Sequence, residues 1–231
     1  MPDTSPTPST IPTTPKTPRD YAEQDQAIAD NITSAEQAIN GALASEEILA
    51  LLEPRSYDAK ELKVGLGLQE AAQEAFNARQ TASGQEAFAK GARDKADAAA
   101  RAQFSDYRQT CQINFTQPAD RGALGANGKV LTDSQKFITT ARSAYAAAGK
   151  APYADTLEVY GYDAKKLKEA QVGLDVLSNA ETEYSRKAGA TINATQARDD
   201  AHEELMKWFS KFRRFAKLAL KSQPGLLEKL K

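Results

Sequence analysis

The sequence predicts an all-α protein: an elongated antiparallel helical bundle made of two tandem pseudo-repeats of about 105 residues, with long helices. Three observations carry this reading. Tyr57-Asp58-Ala59-Lys60-Glu61-Leu62-Lys63 returns 105 residues later as Tyr162-Asp163-Ala164-Lys165-Lys166-Leu167-Lys168. No proline interrupts the chain from Lys60 to Gln117, so nothing there removes a backbone donor from a helix. In the second half, Leu167, Leu174, Ala188, Phe209 and Ala216 keep a seven-residue spacing, as do Ala170, Leu177, Tyr184, Leu205, Phe212 and Ala219. That period is the signature of helices packed along a seam, as in a coiled coil.

The offset holds beyond the opening motif. Arg93-Asp94 meets Arg198-Asp199, Phe104-Ser105 meets Phe209-Ser210, and Tyr107-Arg108 meets Phe212-Arg213. Gly84 falls on Gly189 and Leu52 on Leu157; after a one-residue slip Pro118 meets Pro224 and Leu124 meets Leu230. Alanine and lysine match by chance in such a composition, so the aromatic, proline and glycine matches carry the weight. A period this long exceeds the 20–50 residues of solenoid repeats and reads as two copies of a small domain or half-bundle.

Taken in order, residues 1–19 form a disordered Pro/Thr-rich tail, since Pro2, Pro6, Pro8, Pro12, Pro15 and Pro18 exclude a helix or central strand. Its P-x-x-P spacings lack the flanking specificity of a docking ligand. Residues 20–117 form the first helical repeat. Tyr21, Ile28, Ile32, Ala35 and Ile39 recur at helical spacing, giving a first helix to Leu43. Ser45 caps a short helix with Glu46 and Glu47 in its first turn, and Pro54 ends it. Asp58 then caps the main helix, with Glu61 completing a capping box.

Two architectures remain for this main stretch. Ser83-Gly84 is either a turn that makes each copy three helices, or an interior point of one helix about 80 Å long at 1.5 Å per residue. The seven-residue phase crosses Gly189 unbroken and favours the long helix. The seam holds polar residues at its middle: Glu181, Thr195, Arg198 and His202 in the second copy, Lys90, Arg93 and Asp97 in the first. Residues 118–131, with Pro118, Gly122, Gly125 and Gly128, form the connector. Residues 132–231 form the second repeat, opening at Thr132 with Gln135 as a capping box and carrying Phe137, Ile138, Ala141, Ala144 and Tyr145. Its first helix ends near Gly149 and Pro152, and a short segment with Leu157 and Val159 leads to Asp163, the second main cap. Alanine faces (Ala71, Ala72, Ala75 and Ala96, Ala99, Ala100) allow close helix approach, and Gly65-Leu66-Gly67 marks tight packing.

Composition narrows function without naming it. Over 231 residues the net charge is −1, so no global field selects nucleic acid or an anionic membrane. Mean hydropathy is −0.58. No stretch approaches the ~20 apolar residues of a membrane span, and the start lacks a secretory signal pattern, so a cytoplasmic protein is expected. One cysteine, Cys111, and one histidine, His202, leave no disulfide framework, no thiolate metal site and no second Glu-x-x-His for a di-metal carboxylate bundle. Neither a P-loop nor G-x-G-x-x-G is present to cradle phosphates. No enzyme, cofactor or metal is therefore expected.

The most distinctive chemistry is Lys207-Trp208-Phe209-Ser210-Lys211-Phe212-Arg213-Arg214-Phe215-Ala216-Lys217. On a helix, Trp208, Phe209, Phe212 and Phe215 share a broad face, with Lys207, Lys211, Arg214 and Lys217 largely opposite. One reading is a surface for anionic membrane or nucleic acid, using Lys207, Lys211, Arg213, Arg214 and Lys217. The other makes the aromatics core and the cations a helix C-terminal feature. The first copy keeps Phe104, Tyr107 and Arg108 but not the dense charge, so Phe104, Tyr107, Trp208, Phe209 and Phe212 are expected as structural residues beside Asp58 and Asp163. The functional expectation is a non-enzymatic helical scaffold or protein-interaction module, with protein partners and a homodimer as candidates. The alternatives are the anionic-surface binder and, behind it, a small-ligand-binding bundle with a cavity beside Trp208.

Overall fold

The structure is a computed structural model that describes the backbone of residues 18–230 and the side chains of residues 23–230. Of the Pro/Thr tail expected over 1–19, residues 1–17 lie outside the described residues, as does the Tyr21 side chain, and Pro18 and Arg19 begin the first helix. Among these, every regular element is helical. In order they are α1 (Pro18–Leu43), α2 (Glu46–Leu52), a 3-10 turn Glu53–Arg55, α3 (Ala59–Asn114) and α4 (Pro118–Ala123). There follow α5 (Ser134–Ala148), α6 (Ala154–Val159), α7 (Ala164–Ala219), α8 (Pro224–Leu227) and a 3-10 turn Glu228–Leu230.

Local chemistry sets most boundaries. The Ser45 side chain accepts from Ile48 N at 3.4 Å. Asp58 Oδ1 accepts from Glu61 N at 2.8 Å and Asp163 Oδ1 from Lys166 N at 2.6 Å, so both act as the caps expected of them. Two details differ. The α5 cap is Asp133, accepting from Lys136 N at 2.8 Å, rather than Thr132. Glu61 serves the cap through its backbone amide, and its carboxylate accepts the indole N–H of Trp208 at 2.7 Å. Pro54 tightens the chain into the 3-10 turn rather than stopping it, and Ser56 then reverses it with φ 63°.

Ser83-Gly84 lies inside α3 and Gly189 inside α7, and each of these helices runs 56 residues without a break. The turn alternative at Ser83-Gly84 is thereby excluded. A glycine weakens a helix by about 1 kcal/mol but keeps its N–H and C=O in the ladder, unlike proline. Along α7 the seam positions stay buried or half-buried, Glu181, Thr195, Arg198 and His202 included. In α3 one slot departs from expectation: Lys90 is exposed and Ala89, at 6% exposure, faces inward. The lysine amine keeps its water while the methyl takes the buried place.

The chain divides into two compact units, each described by itself. The first comprises Gln196–Lys231 with the described part of Met1–Asn77; the second is Ala78–Thr195. These are not the sequence-contiguous halves 20–117 and 132–231, because each unit draws one stretch from α3 and one from α7. In the first unit, Ile32, Ala35, Ala38, Ile39 and Ala42 of α1 pack with Leu52, Tyr57 and Leu62 and with Leu205, Phe209, Phe212 and Ala216 of α7. In the second, Ile138, Ala141, Ala144, Tyr145 and Ala148 of α5 pack with Phe104, Tyr107 and Cys111 of α3, Leu157, and Leu167, Leu174 and Leu177 of α7. Of the alanine faces, Ala72 and Ala100 are buried, whereas Ala71 and Ala99 are exposed.

The connector 118–131 is partly helical and is strapped to the second unit by arginines. Arg108 donates to the carbonyls of Gly125 (2.9 Å), Ala126, Asn127 and Gly128 (2.6 Å). Arg101 donates to those of Leu131 and Thr132. Gly125 and Gly128 adopt φ of 63° and 68°, where a side chain would be strained.

Cys111 lies fully buried in the second unit, and burial pushes its thiol up to about 11. The native thiol is expected to resist a disulfide reagent at pH 8 and to react only on unfolding, read by thiol titration with and without denaturant. A folded value above the unfolded one favours the protonated form, so this contribution to stability is complete below the unfolded value near 8.5 and is lost as pH rises towards 11. Cys111→Ala is expected to flatten the fall in denaturation midpoint between pH 8 and 11.

Candidate interaction surface on the last turns of α7

The residues that end α7 separate cleanly by face. Phe209 and Phe212 are buried and Trp208 and Phe215 half-buried, while Lys207, Lys211, Arg213, Arg214 and Lys217 are all exposed. The aromatic side is a packed cluster. Trp208 stacks on Phe212 with centroids 5.4 Å apart and 13° between planes. Tyr57 meets Trp208, Phe212 and Phe215 at 5.8, 5.5 and 5.7 Å. The Tyr57 hydroxyl is pushed up, first by burial and then by the Glu61 carboxylate.

Gly65 makes this arrangement possible. A Cβ placed there would lie 2.1 Å from a ring carbon of Trp208, so the indole occupies the space any larger residue would need. The tight packing foreseen at Gly65-Leu66-Gly67 belongs to Gly65 alone, since nothing lies within 4 Å of a Cβ at Gly67. Such close packing also counts against the aromatics lining a cavity beside Trp208.

The second unit holds its own aromatic cluster. Phe104 meets Phe137 and Tyr145 at 5.6 and 5.7 Å, and Tyr107 meets Tyr145 and Tyr162 at 4.9 and 5.4 Å. The Tyr107 hydroxyl donates to Ala144 O at 3.2 Å. Burial pushes the Tyr107 and Tyr145 hydroxyls far up, so both stay protonated.

On the polar side of α7, Lys207 pairs with Glu203 one turn earlier at 2.7 Å, both side chains well exposed. Water screens such a pair, so it adds little to stability. The Arg213 guanidinium rests 5.6 Å from the Phe209 ring centre. Arg213 and Lys217 flank a cleft of about 140 Å³ whose apolar wall is Phe212, Ala216, Leu227 and Leu230. Of the five exposed cations, Arg213 and Lys217 therefore have apolar surface beside them. Comparison with known protein families, curated proteins and solved structures returned no match.

Two polar features escape simple sequence reading. Arg198, 1% exposed, donates to Asp25 of α1 and, at 2.6 Å, to its own neighbour Asp199. Next to it, Asn31 Nδ2 and His202 Nε2 lie 3.2 Å apart, and burial lowers the imidazole from its ordinary value. The seam phase marked Arg198 and His202 as inward-facing, but nothing in the sequence pointed to Asp25 and Asn31 as their partners. Cys111 and His202 belong to different units, one to the core of the second and one to the seam of the first. Among the described residues no group of three or more His, Cys, Asp and Glu side chains could hold a metal ion, and no helix is long and apolar enough to cross a membrane.

Proposed function

We propose that this chain is a non-enzymatic helical scaffold or protein-interaction module, built by duplication of a unit of about 105 residues. What supports the duplication is that α3 and α7 start and end 105 residues apart, each opened by an Asp cap one residue after a tyrosine, Tyr57 or Tyr162, and six after a buried leucine, Leu52 or Leu157. The buried set of α1 (Ile32, Ala35, Ala38, Ile39, Ala42) also matches that of α5 (Ile138, Ala141, Ala144, Tyr145, Ala148) at an offset of 106.

One observation carries the scaffold reading. The groups pushed furthest from their ordinary values, Tyr107, Tyr145 and Cys111, are displaced chiefly by burial in a packed core. Catalytic groups are characteristically displaced by burial together with a charged partner facing a cleft. Several charges of α3 and α7 pair along their own helix, as in Asp97–Arg101 and Glu183–Arg186, while Arg198 and Asp175 of α7 pair with α1 and α5. Immobilised chain is expected to enrich a protein partner from cell extract in stoichiometric amount; absence of any enriched partner would count against the scaffold.

The second reading is a binder of an anionic surface, membrane or nucleic acid. Lys211, Arg213, Arg214 and Lys217 all project from the exposed side of α7 within two turns. Binding to anionic vesicles or duplex DNA is expected at low salt and should weaken as salt rises. Changing these four to glutamine is expected to lower it at least about tenfold, as four charges contribute of order 1 kcal/mol each near an anionic membrane. Equal retention of the two proteins at low salt would rule this face out.

A further inference from the structure

Among the described residues two arginines are buried, Arg198 and Arg108. Arg198 has the carboxylates of Asp25 and Asp199 against it. Arg108, 9% exposed, has no carboxylate partner among the described residues. Its four bonds all go to connector carbonyls, which satisfy donors but carry no net charge. A buried cation is costly unless a counter-charge meets it. A guanidinium also has more donors than this strap uses. Nε and Nη2 make all four bonds, so Nη1 donates to no described protein atom.

Arg108 borders a cavity of about 200 Å³ framed by α3, α5 and the connector. With Nε and Nη2 turned to the connector, Nη1 is the nitrogen left to face it. Phe104 and Phe137, both buried and packed edge to face at 5.6 Å, form its apolar wall. The exposed Lys129 and Thr140 complete its rim, and Lys129 makes no ion pair among the described residues. The lining thus holds two cations and no carboxylate. A shallower depression shares Leu131 and Thr140 with it and adds Lys136, again without an acid. The frame is fixed before any ligand arrives. Arg108 holds the carbonyls of residues 125 to 128, and a Cβ at Gly125 would lie 3.0 Å from Ala144 Cβ and 3.4 Å from Phe104 Cζ.

We propose that this cavity binds a small organic carboxylate. Its apolar part lies against Phe104 and Phe137, and its oxygens accept from Arg108 Nη1 and from the Lys129 amine. The carboxylate supplies the counter-charge that Arg108 lacks, through charge-assisted bonds stronger than neutral ones. Volume sets the size of the ligand. A cavity of about 150 Å³ accommodates benzene, so this one takes a single ring bearing one carboxyl group. Nothing in this site depends on the scaffold reading or on the cationic end of α7.

Calorimetric titration of the full chain with benzoate, benzamide and inorganic phosphate tests it. Benzoate is expected to bind one to one with a Kd of about 1 mM or tighter. Benzamide has the same shape without the charge and is expected to bind at least about tenfold more weakly. Phosphate has the charge without the ring and is expected to lose at least about tenfold as well. Lys129→Gln is expected to weaken benzoate about threefold or more, and Thr140→Phe, which fills the mouth, to abolish binding. Both side chains are exposed, so helix content and melting are expected to stay unchanged. Arg108 is left intact because it holds the connector. No benzoate binding by about 20 mM would overturn the proposal. So would benzamide or phosphate binding as well as benzoate, or binding indifferent to Lys129→Gln or to Thr140→Phe.

Discussion

Gly65→Ala is expected to destabilise the protein by about 1–3 kcal/mol. Inside a helix the same change ordinarily stabilises by about 1 kcal/mol, because alanine loses less backbone freedom on folding. The sign reverses here because the new methyl would lie 2.1, 2.4 and 2.5 Å from three ring carbons of Trp208. An indole is flat and rigid, so it must move as a body. Moving it disturbs the N–H bond to Glu61, the stacking on Phe212 and the edge contact with Tyr57 together. Gly67 and Gly189 supply internal controls, since no atom lies within 4 Å of a Cβ at either. Alanine at those positions is expected to raise stability by roughly 0.5–1 kcal/mol. Trp208 is the only tryptophan, so its fluorescence during urea unfolding reports the site directly. Equal stabilisation at all three positions would mean that Trp208 does not pack over Gly65.

Arg198→Ala is expected to cost about 3–5 kcal/mol, the largest loss from any single polar residue of the seam. The guanidinium is 1% exposed and the Asp25 side chain 15%. Removing the arginine takes a buried counter-charge from the Asp25 carboxylate and opens a cavity between α1 and α7. The alternative account, in which Arg198 merely fills space, makes a different prediction. If volume were the only issue, Arg198→Met would be nearly neutral by itself. If charge compensation matters, Arg198→Met alone is costly, and adding Asp25→Leu recovers much of the loss. Urea midpoints for the two singles and the double form a cycle that separates these cases.

Helices and their caps were legible because they rest on local chemistry. Asp58 and Asp163 are short acceptors ahead of long proline-free stretches, and both accept the amide three residues on. The continuity of α7 through Gly189 was legible from phase, since a turn would have shifted the seven-residue register. The aromatic frame was legible from the 105-residue offset: Phe104, Tyr107, Phe209 and Phe212 are all buried.

Partnership across elements was less legible. Arg108 and Arg213 occupy matching sequence positions, yet Arg108 is nearly buried against connector carbonyls and Arg213 is exposed. The connector's bare carbonyls decide that difference, and a sequence does not show where they lie. Nor did the apolar pattern foretell Phe88, which is 82% exposed and breaks the rule that a ring on a helix seeks cover. Compact units made from both long helices were likewise hidden, because a spacing along the chain does not say which distant stretches pack together.

The long seam between α3 and α7 depends on both helices passing unbroken through their mid-helix glycines. Amide hydrogen exchange resolved to single residues tests that directly. Continuous helices predict protected amides from Gln80 to Phe88 and from Tyr184 to Ile192, with Gly84 and Gly189 no faster than their neighbours. Exchange at the rate of free amides in a window centred on Ser83-Gly84 or on Gly189 would mean a turn at that point, and the two-helix seam described here would be wrong.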